Sequence, residues 1–572
     1  METTFRELAE LCEKLESTTK RNLMVNLVSE FIKRLSVEEV EPAISMILGR
    51  PFPKWDQRTL EISWATISSI IRKLTSLDWK FFLESFNETG DVGEATRRVF
   101  EKSKMRRQSM LIEKPLTILE VRRNFEEIAE VSGVRSREKK ERLLEALLGL
   151  ATPLEAKYIV KILIGEMRTG FHEGLMELAV AKAFGIPHEI IQQATMMRGD
   201  VGEVAFIAKK EGREALLKLE FKIFHPIKPM LAQMTENVEK AIKEHGGKTA
   251  FEYKLDGARI QIHKSGNTVR IFSRRLTEVT ESLPEIIELV RKEVRAKEAI
   301  LEGEVIAVDE KGKPLPFQHL MRRFRRIRQI EDIKKAIPVK LYLFDVLYID
   351  GENLIGLPYI ERRRKLADIT GNIPLTKQIV TDNVDEAEAF FREAIEAGHE
   401  GLLAKKLDSP YTPGIRGKRW FKIKTSLEPL DLVIVAAEYG YGRRHAWLSD
   451  YYLAARDEET GEFLIVGKTF KGLTDKEIVE MTERLKKLTI RQEARRVIVI
   501  PKIVVEVAYN EIQRSPKYKC GMALRFARIT RIRDDKSPEE ADTIQRLKEI
   551  YERQFKHKSK WKIEPQTKLK NS

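Results

Sequence analysis

Residues 254–259 combine a lysine, an acid, a glycine and an arginine within one short turn. A lysine attacks phosphorus only as the free amine, so the surroundings of Lys254 must disfavour its ammonium form. Arg259, or a bound metal ion, would supply a positive charge that does this. Gly257 would let the backbone approach a nucleotide closely. The spacing predicts a nucleophilic lysine, and the alternative is an exposed turn with a solvated lysine.

Three later segments carry further residues suited to phosphate chemistry. Residues 300–308 form an apolar run typical of a strand, with Glu302 and Glu304 on one face, and we interpret Glu302 as an exposed-face residue. Lys422 and Lys424 alternate along another strand, which suits two ammonium groups directed at phosphate. Phe344 lies in a third apolar run and, from the residues alone, is predicted to be a core side chain.

The same kinds of residue recur in order along the chain, after the lysine turn. The segments are 273–275 (SRR), 301–304 (LEGE), 341–345 (LYLFD), 400–405 (EGLLAK), 420–424 (WFKIK) and 533–536 (RDDK). This ordered set resembles the collinear motifs of the covalent nucleotidyltransferases. Within them it is similar to the ATP-dependent DNA ligases of the archaeal and eukaryotic replicative type, and the resemblance covers nearly the whole chain.

The resemblance implies a role for each matching residue. Lys254 would carry AMP, Glu252 would contact the adenine amino group, and Phe344 would stack on adenine instead of filling the core. Residues expected to hold the rest of ATP are Arg259, Arg274, Glu304, Arg416, Lys422, Lys424, Arg533 and Lys536. Glu304 and Glu400 would hold magnesium, with manganese as a substitute. For Arg416, Lys405 and Lys424 the alternative is a solvated loop or edge-strand charge.

The composition agrees with a nucleic-acid partner without identifying it. The chain has 572 residues, 42% of them hydrophobic, and a net charge of +15, which suits a polyanion. Cys12 and Cys520 are its only cysteines, too few for a four-cysteine zinc site or a disulfide framework. The sequence shows neither an apolar signal core nor a membrane-spanning run, so we expect a cytoplasmic protein, acting as a monomer.

Three domains are predicted: an all-α DNA-binding domain (1–220), an α+β adenylation domain (221–425) and a β-barrel OB-fold domain with a basic tail (426–572). Prolines at 226 and 229 mark the first boundary. The last domain should contain one helix, 474–488, and five strands, a composition typical of the OB-fold. The predicted strands are 432–437, 451–455, 463–469, 497–508 and 524–532.

Other segments are candidates for partner binding. Residues 164–170 resemble a family segment of the DNA-binding domain, which makes Arg168 and Thr169 candidates for contacts to the DNA backbone. Residues 108–112 fall where some archaeal relatives bind a sliding clamp through two aromatics, but Leu111 and Ile112 stand here instead. The lysine-rich residues after 555 are interpreted as a solvated tail that could also contact DNA.

By resemblance, the predicted activity is the ATP-dependent sealing of nicks in duplex DNA, in replication, repair, recombination and cell division. AMP passes from ATP to Lys254, then to the 5′-phosphate of the nick, and leaves when the 3′-hydroxyl attacks. Arg533 and Lys536 would swing to ATP about a hinge near 425–429. The alternatives are an RNA ligase or GTP-using capping enzyme, an NAD-dependent ligase, and a non-catalytic DNA-binding relative.

Overall fold

The computed structural model describes residues 2–103, 115–324, 337–424 and 427–554. The chain divides into two compact units. The first unit comprises Met1–Thr195, Asp200–Lys218 and Leu427–Tyr551, and the second comprises Met196–Gly199, Leu219–Ser426 and Glu552–Ser572. The residues of the clamp candidate (108–112), the start of the predicted hinge (425–426) and the lysine-rich tail lie outside the described residues.

The N-terminal part of the first unit is helical, as predicted. Its first helix buries Phe5, Leu8, Cys12 and Leu15 at helical spacing and begins with a capping box formed by Thr4. The helices span Phe5–Glu16, Arg21–Arg34, Val37–Ile47, Trp64–Thr75, Trp79–Thr89, Val92–Lys102, Ile118–Glu130, Ser136–Leu150, Pro153–Ile164, Glu173–Phe184, His188–Arg198, Val201–Glu211 and Arg213–Leu217.

Two buried lysines join three of these helices. Lys161 Nζ lies 2.5 Å from Glu16 Oε1 and 2.8 Å from Asp91 Oδ2, and its side chain is 1% exposed. Lys157, one turn earlier, pairs with Glu13 and Glu16. Because a buried ammonium is tolerated only when paired, these acids fix where the helices Phe5–Glu16 and Val92–Lys102 sit against Pro153–Ile164.

The second unit is built from two sheets of five strands each, with orders β1-β10-β9-β2-β8 and β4-β3-β5-β6-β7. The strands are β1 Leu231–Met234, β2 Thr249–Lys254, β3 Ala258–Ser265, β4 Thr268–Ser273, β5 Glu298–Ala307, β6 Val339–Ile349, β7 Glu352–Asn353, β8 Gln378–Thr381, β9 Gly401–Lys406 and β10 Arg416–Lys424. The helices are Val238–His245, Pro284–Glu293, Phe317–Phe324, Tyr359–Ile369 and Val384–Glu396. Residues 255–257 connect β2 of one sheet to β3 of the other.

A fully buried ion pair anchors the helix Tyr359–Ile369 to β6. Arg362 Nε lies 2.8 Å from Asp345 Oδ1 and Nη2 lies 3.0 Å from Oδ2, with both side chains at 0% exposure. Arg362 Nη1 also donates to the carbonyl oxygens of Leu357 and Ser409. Such a bidentate pair combines charge with fixed geometry, so it sets the position of this helix on the sheet.

Replacing Arg362 with Met should strongly destabilise the second unit. Asp345 would remain buried without its partner, and breaking a buried pair typically costs about 3–5 kcal/mol of unfolding free energy. Calorimetric or denaturant unfolding measures the loss. The exposed Arg364, on the same helix, provides the control Arg364→Met, which should change little. An equally small effect of both substitutions would contradict the stabilising role of the pair.

The C-terminal part of the first unit is strand-rich, as predicted, and contains the helices Asp475–Lys487 and Ile544–Gln554. Seven of its strands form one sheet, and β17 and β18 pair separately. The strands are β11 Leu430–Tyr439, β12 Leu448–Arg456, β13 Phe463–Thr469, β14 Thr489–Glu493, β15 Arg496–Val499, β16 Val504–Ala508, β17 Glu511–Arg514, β18 Met522–Arg525 and β19 Arg528–Ile532.

Two of the five strands predicted here are each divided in two. Residues 497–508 form β15 and β16, which are separated at Pro501 because proline cannot donate to the ladder. Residues 524–532 form parts of β18 and β19, separated at Phe526, whose φ of 55° is left-handed and incompatible with a continuous strand. Among the described residues, no helix combines the length and apolarity needed to cross a membrane.

Candidate active site

Lys254 ends β2, and its side chain meets the acid that begins the EGLLAK segment. Lys254 pairs with Gly401 across β2 and β9, and the Glu400 N–H donates to the Lys254 carbonyl oxygen over 2.9 Å. Lys254 Nζ lies 2.8 Å from Glu400 Oε2, and the same oxygen pairs with the ammonium of Lys424. The lysine turn and two downstream segments therefore converge, as the ordered motifs imply.

These carboxylates favour the ammonium form of Lys254, contrary to the expectation that its surroundings disfavour it. Burial opposes the charge, but Glu400 and Glu304 outweigh burial and raise the pKa of Lys254 above its ordinary value. Burial likewise opposes ionisation of Glu400, and the ammonium groups of Lys254 and Lys424 overcome it, lowering the pKa of Glu400 to about 2. A cation that competes for Glu400 would weaken the hold on the Lys254 proton.

Several cations at this site act electrostatically on Lys422. The pKa of Lys422 is lowered by burial and by the charges of four neighbours: Lys424, Arg416, Lys254 and Arg274. Mutual repulsion of this kind destabilises the protein unless an anion is present. The grouping of Lys422 with Lys254, Arg274, Arg416 and Lys424 suits a polyphosphate, and Arg274 and Arg416 are exposed.

Glu304 and Glu400 form the acidic side of the same site. Burial raises the pKa of Glu304 to about 7, against the opposing influence of Lys254 and Arg259, and the charge of Glu400 adds to the rise. Among the described residues, no group of three or more His, Cys, Asp or Glu side chains is arranged as a metal site. Two neighbouring carboxylates nonetheless fit Mg²⁺, which keeps several waters and takes few protein ligands.

Gly257 is required by contact with the neighbouring strand. A Cβ built there would meet the Val305 carbonyl oxygen and would lie 2.9 Å from Glu304 Cγ. The close approach expected at Gly257 is thus made to β5 in this structure, and it draws the lysine turn against the strand that carries Glu304.

Glu302 is buried, so its interpretation as an exposed-face residue is wrong. Its side chain is 1% exposed and accepts a hydrogen bond of 2.5 Å from Arg259 Nη2, while Arg259 Nη1 donates over 2.7 Å to the Met230 carbonyl oxygen. Burial opposes the charge of Arg259, but Glu302 raises its pKa above the ordinary value. Glu302 therefore orients Arg259. The sequence held one sign that Glu302 belongs to the site, because it lies two residues from Glu304 on the same face of the strand.

The residues expected around adenine are buried together. Glu252 and Lys405 are both 0% exposed, and Lys405 Nζ lies 2.7 Å from Glu252 Oε2. Lys405 is therefore no solvated edge-strand charge. The Phe344 ring is 4% exposed and packs in the core, with Lys405 Nζ 4.7 Å and the Arg259 guanidinium 5.2 Å from its centroid. Its stacking on adenine stays a prediction.

Arg533 and Lys536 belong to the first unit, and their contacts there are to acids. Lys536 Nζ lies 2.6 Å from Asp431 Oδ2, and Arg533 Nη1 lies 3.2 Å from Asp431 Oδ1. Arg533 also pairs with Asp535. Both cations that the sequence assigns to ATP are therefore paired with Asp431 in this structure.

The candidates for DNA-backbone contact have other surroundings than expected. Arg168 donates to the Gly90 carbonyl oxygen and lies 5.0 Å from the centroid of the Tyr441 ring, which belongs to the strand-rich part of the same unit. Arg495 lies 4.8 Å from the same ring. Thr169 is 1% exposed. The contact of Arg168 or Thr169 with a DNA backbone stays a prediction.

This chain is similar to known proteins over nearly its whole length. Three family models match: DNA ligase N terminus over residues 4–179, ATP dependent DNA ligase domain over 229–424, and ATP dependent DNA ligase C terminal region over 444–536. DNA ligase 1 of Korarchaeum cryptofilum is 49% identical over 96% of this chain and 99% of its own. The DNA ligase of Thermococcus fumicolans is 45% identical over 97% and 100%.

The chain belongs to the ATP-dependent DNA ligases. It is an enzyme that uses ATP and acts on DNA, and the RNA ligase, capping-enzyme and non-catalytic alternatives are not favoured. A solved structure named Pmar-Lig_PreS3 shares the fold, with a TM-score of 0.54 over 92% of this chain and 99% of that chain, at 18% identity. The ligase thus has the predicted helical, adenylation and strand-rich C-terminal regions.

Proposed function

We propose that Lys254 is the nucleophile of this ligase and carries AMP between ATP and a nicked duplex. In the first step the neutral amine attacks the α-phosphorus, a P–N bond forms, and the bond to pyrophosphate breaks. In the second, an oxygen of the 5′-phosphate at the nick attacks the same phosphorus and Lys254 leaves. In the third, the 3′-hydroxyl attacks that 5′-phosphate and AMP leaves.

The convergence of cations around Lys422, with Lys254 among them, carries this proposal. The charges of Lys254, Arg274, Arg416 and Lys424 all lower the pKa of Lys422. Phosphoryl transfer depends mainly on positioning and on cations that stabilise charge on the phosphate oxygens. Lys422 and Lys424, on alternate positions of β10, bind the phosphates of ATP, together with the exposed Arg416 and Arg274. Glu252 accepts a hydrogen bond from the adenine amino group, and Phe344 stacks on the base.

Glu304 and Glu400 would hold a magnesium ion, with manganese as a substitute. The ion would supply positive charge to the phosphate oxygens. Glu400 pairs with Lys254 and, with Glu304, raises the pKa of the lysine, so positive charge at these carboxylates would favour the reactive amine form.

The test is incubation with ATP labelled at the α-phosphorus, followed by denaturing electrophoresis. A phosphoramidate predicts a protein-bound label that is lost in acid and removed by added pyrophosphate. GTP and NAD labelled at the corresponding phosphorus serve as comparison substrates. A label from NAD but not from ATP, or a label that persists in acid, would contradict the proposed intermediate.

DNA binding by this ligase should be broad in sequence and steep in salt. The chain carries a net charge of +15, and each neutralised phosphate contributes about −0.9 to the slope of log affinity against log salt. Anisotropy of a labelled nicked duplex, titrated at several salt concentrations and in two unrelated sequences, measures both properties. An affinity that is independent of salt, or that differs strongly between the two sequences, would refute the expectation.

We also propose that the ligase acts as a monomer in replication, repair and recombination. A clamp contact through residues 108–112 would be weak, because Leu111 and Ile112 replace the two aromatics of the motif. Aromatic anchors supply most of the binding energy in such small contacts, so their loss leaves little affinity.

A further inference from the structure

Glu252 divides its two carboxylate oxygens between different kinds of neighbour. Oε1 accepts hydrogen bonds from the Tyr359 hydroxyl and, over 3.1 Å, from Gln378 Nε2. Gln378 Nε2 also lies 2.6 Å from the Tyr359 oxygen, so the three groups form a closed triangle. Gln378 faces Glu252 directly across β2 and β8, and Tyr359 begins the helix that Arg362 anchors. The strand register therefore builds this triangle.

The second oxygen, Oε2, has a different environment. Lys405 Nζ lies 2.7 Å from it, and the two fully buried side chains form an ion pair. Each carboxylate oxygen has two lone pairs and can accept two hydrogen bonds. Oε1 already accepts from two donors of the protein, whereas Oε2 meets one cation and can accept a further hydrogen bond from a base.

The geometry around Glu252 bears on which base the site accepts. A carboxylate accepts hydrogen bonds but donates none, so it matches the 6-amino group of adenine and repels the 6-oxo group of guanine or hypoxanthine. That discrimination requires the carboxylate to stay in one orientation. If it rotates or protonates, it can accommodate or donate to an oxo group, and selectivity falls.

We propose that Tyr359 and Gln378 are positioning residues that set the selectivity of the ligase for 6-amino over 6-oxo purine nucleotides. They act through Glu252, by saturating Oε1 and turning Oε2 toward the base. The inference rests on the proposed contact between Glu252 and adenine. Tyr359 is suited to this because burial, then the Glu252 charge, raises its pKa well above the ordinary value, which keeps its hydroxyl a donor.

The test compares self-nucleotidylation by ATP and by inosine triphosphate, which replaces the 6-amino with a 6-oxo group. The variants are Tyr359→Phe and Gln378→Met. Gln378 is only partly buried, on the edge strand β8, so its substitution should leave the fold intact even if Tyr359→Phe does not. Tyr348→Phe is the matched control, because it removes a tyrosine hydroxyl that lies 3.3 Å from a different acid, Glu298.

Both variants should lower the ratio of kcat/KM for ATP to that for inosine triphosphate by about tenfold, roughly the contribution of one hydrogen bond to a charged group. The KM for ATP should rise while kcat changes little, and Tyr348→Phe should keep the wild-type ratio. A ratio unchanged in both variants, or a loss shared equally by the two nucleotides, would overturn the inference.

Glu252→Gln separates this inference from the function on which it rests. An amide can donate as well as accept, so this variant should lose selectivity whether or not Tyr359 and Gln378 control it. If selectivity is lost in Glu252→Gln but kept in Tyr359→Phe and Gln378→Met, the positioning role is overturned and the adenine contact stands. Unchanged selectivity in Glu252→Gln overturns both. Absence of any nucleotide label on the wild-type protein would instead contradict Lys254 as the nucleophile.

Discussion

Lys254→Ala should abolish self-adenylation, because it removes the amine that forms the phosphoramidate. The variant should keep part of its ability to seal a nick that already carries 5′-AMP, since that step needs no bond to the lysine. Its fold should survive, because Lys424 still pairs with Glu400. Adenylation from labelled ATP and sealing of a pre-adenylated nick are measured separately on the same preparation.

Lys418→Ala is the matched control for this experiment. Lys418 also lies on the second unit, is 66% exposed and pairs with Glu244, so both steps should proceed at the wild-type rate. Complete and equal loss of both steps in a folded Lys254→Ala protein would count against its assignment as nucleophile. Adenylation of Lys254→Ala at the wild-type rate would exclude that assignment altogether.

Lys536→Ala should slow adenylation far more than it slows sealing, by a factor of about a hundred or more, as expected for removing one charge that stabilises a transition state. Its charge is best used on the departing pyrophosphate, and none remains once Lys254 holds AMP. Lys536 pairs with Asp431 in the structure. Because a partly exposed ion pair is worth little, exchanging Asp431 for a phosphate costs little free energy.

Step-resolved kinetics test this expectation. Adenylation is followed from ATP, and sealing is followed on a pre-adenylated nick with the same variant. Lys519→Ala removes another lysine from the strand-rich part of the first unit, 78% exposed and paired with Glu462, and should affect neither step. If Lys536→Ala reduces sealing as much as adenylation, the role of Lys536 in the first step is wrong.

The ordered motifs predicted which residues meet, and the structure brings most of them together. Lys254, Glu400, Lys422 and Lys424 come from distant segments and converge because β2, β9 and β10 are adjacent in one sheet. Glu304 lies on β5 of the other sheet and is brought close by the turn at Gly257. Alternation along β10 was enough to place both of its lysines on the same face. Residue types in a fixed order are therefore informative even where each segment alone is weak.

The electrostatic state of these residues could not be predicted, because it depends on partners set by strand register. Pairing of Lys254 with Gly401 puts Glu400 against the ammonium. Glu302 appeared exposed because a charge in a strand usually is, yet Arg259 from β3 lies beside it and makes its burial tolerable. Local pattern alone shows neither neighbour.

Backbone breaks within strands were also missed. The run 497–508 is mostly apolar, and Pro501 lies in the short segment that separates β15 from β16. Phe526 has a left-handed φ, a conformation that aromatic residues rarely adopt, so the sequence gives no indication of a strand break there. Hydrophobic pattern thus located the strand-rich region but not the number of its strands.

The most direct test of the central claim is to locate the nucleotide on the protein. The wild-type ligase is incubated with ATP, digested under neutral conditions that preserve a phosphoramidate, and analysed by tandem mass spectrometry, with Lys418→Ala and Lys254→Ala treated in parallel. We expect AMP on Lys254 in the wild type and in Lys418→Ala, and none in Lys254→Ala. AMP attached to any other residue of the wild-type protein would contradict the account.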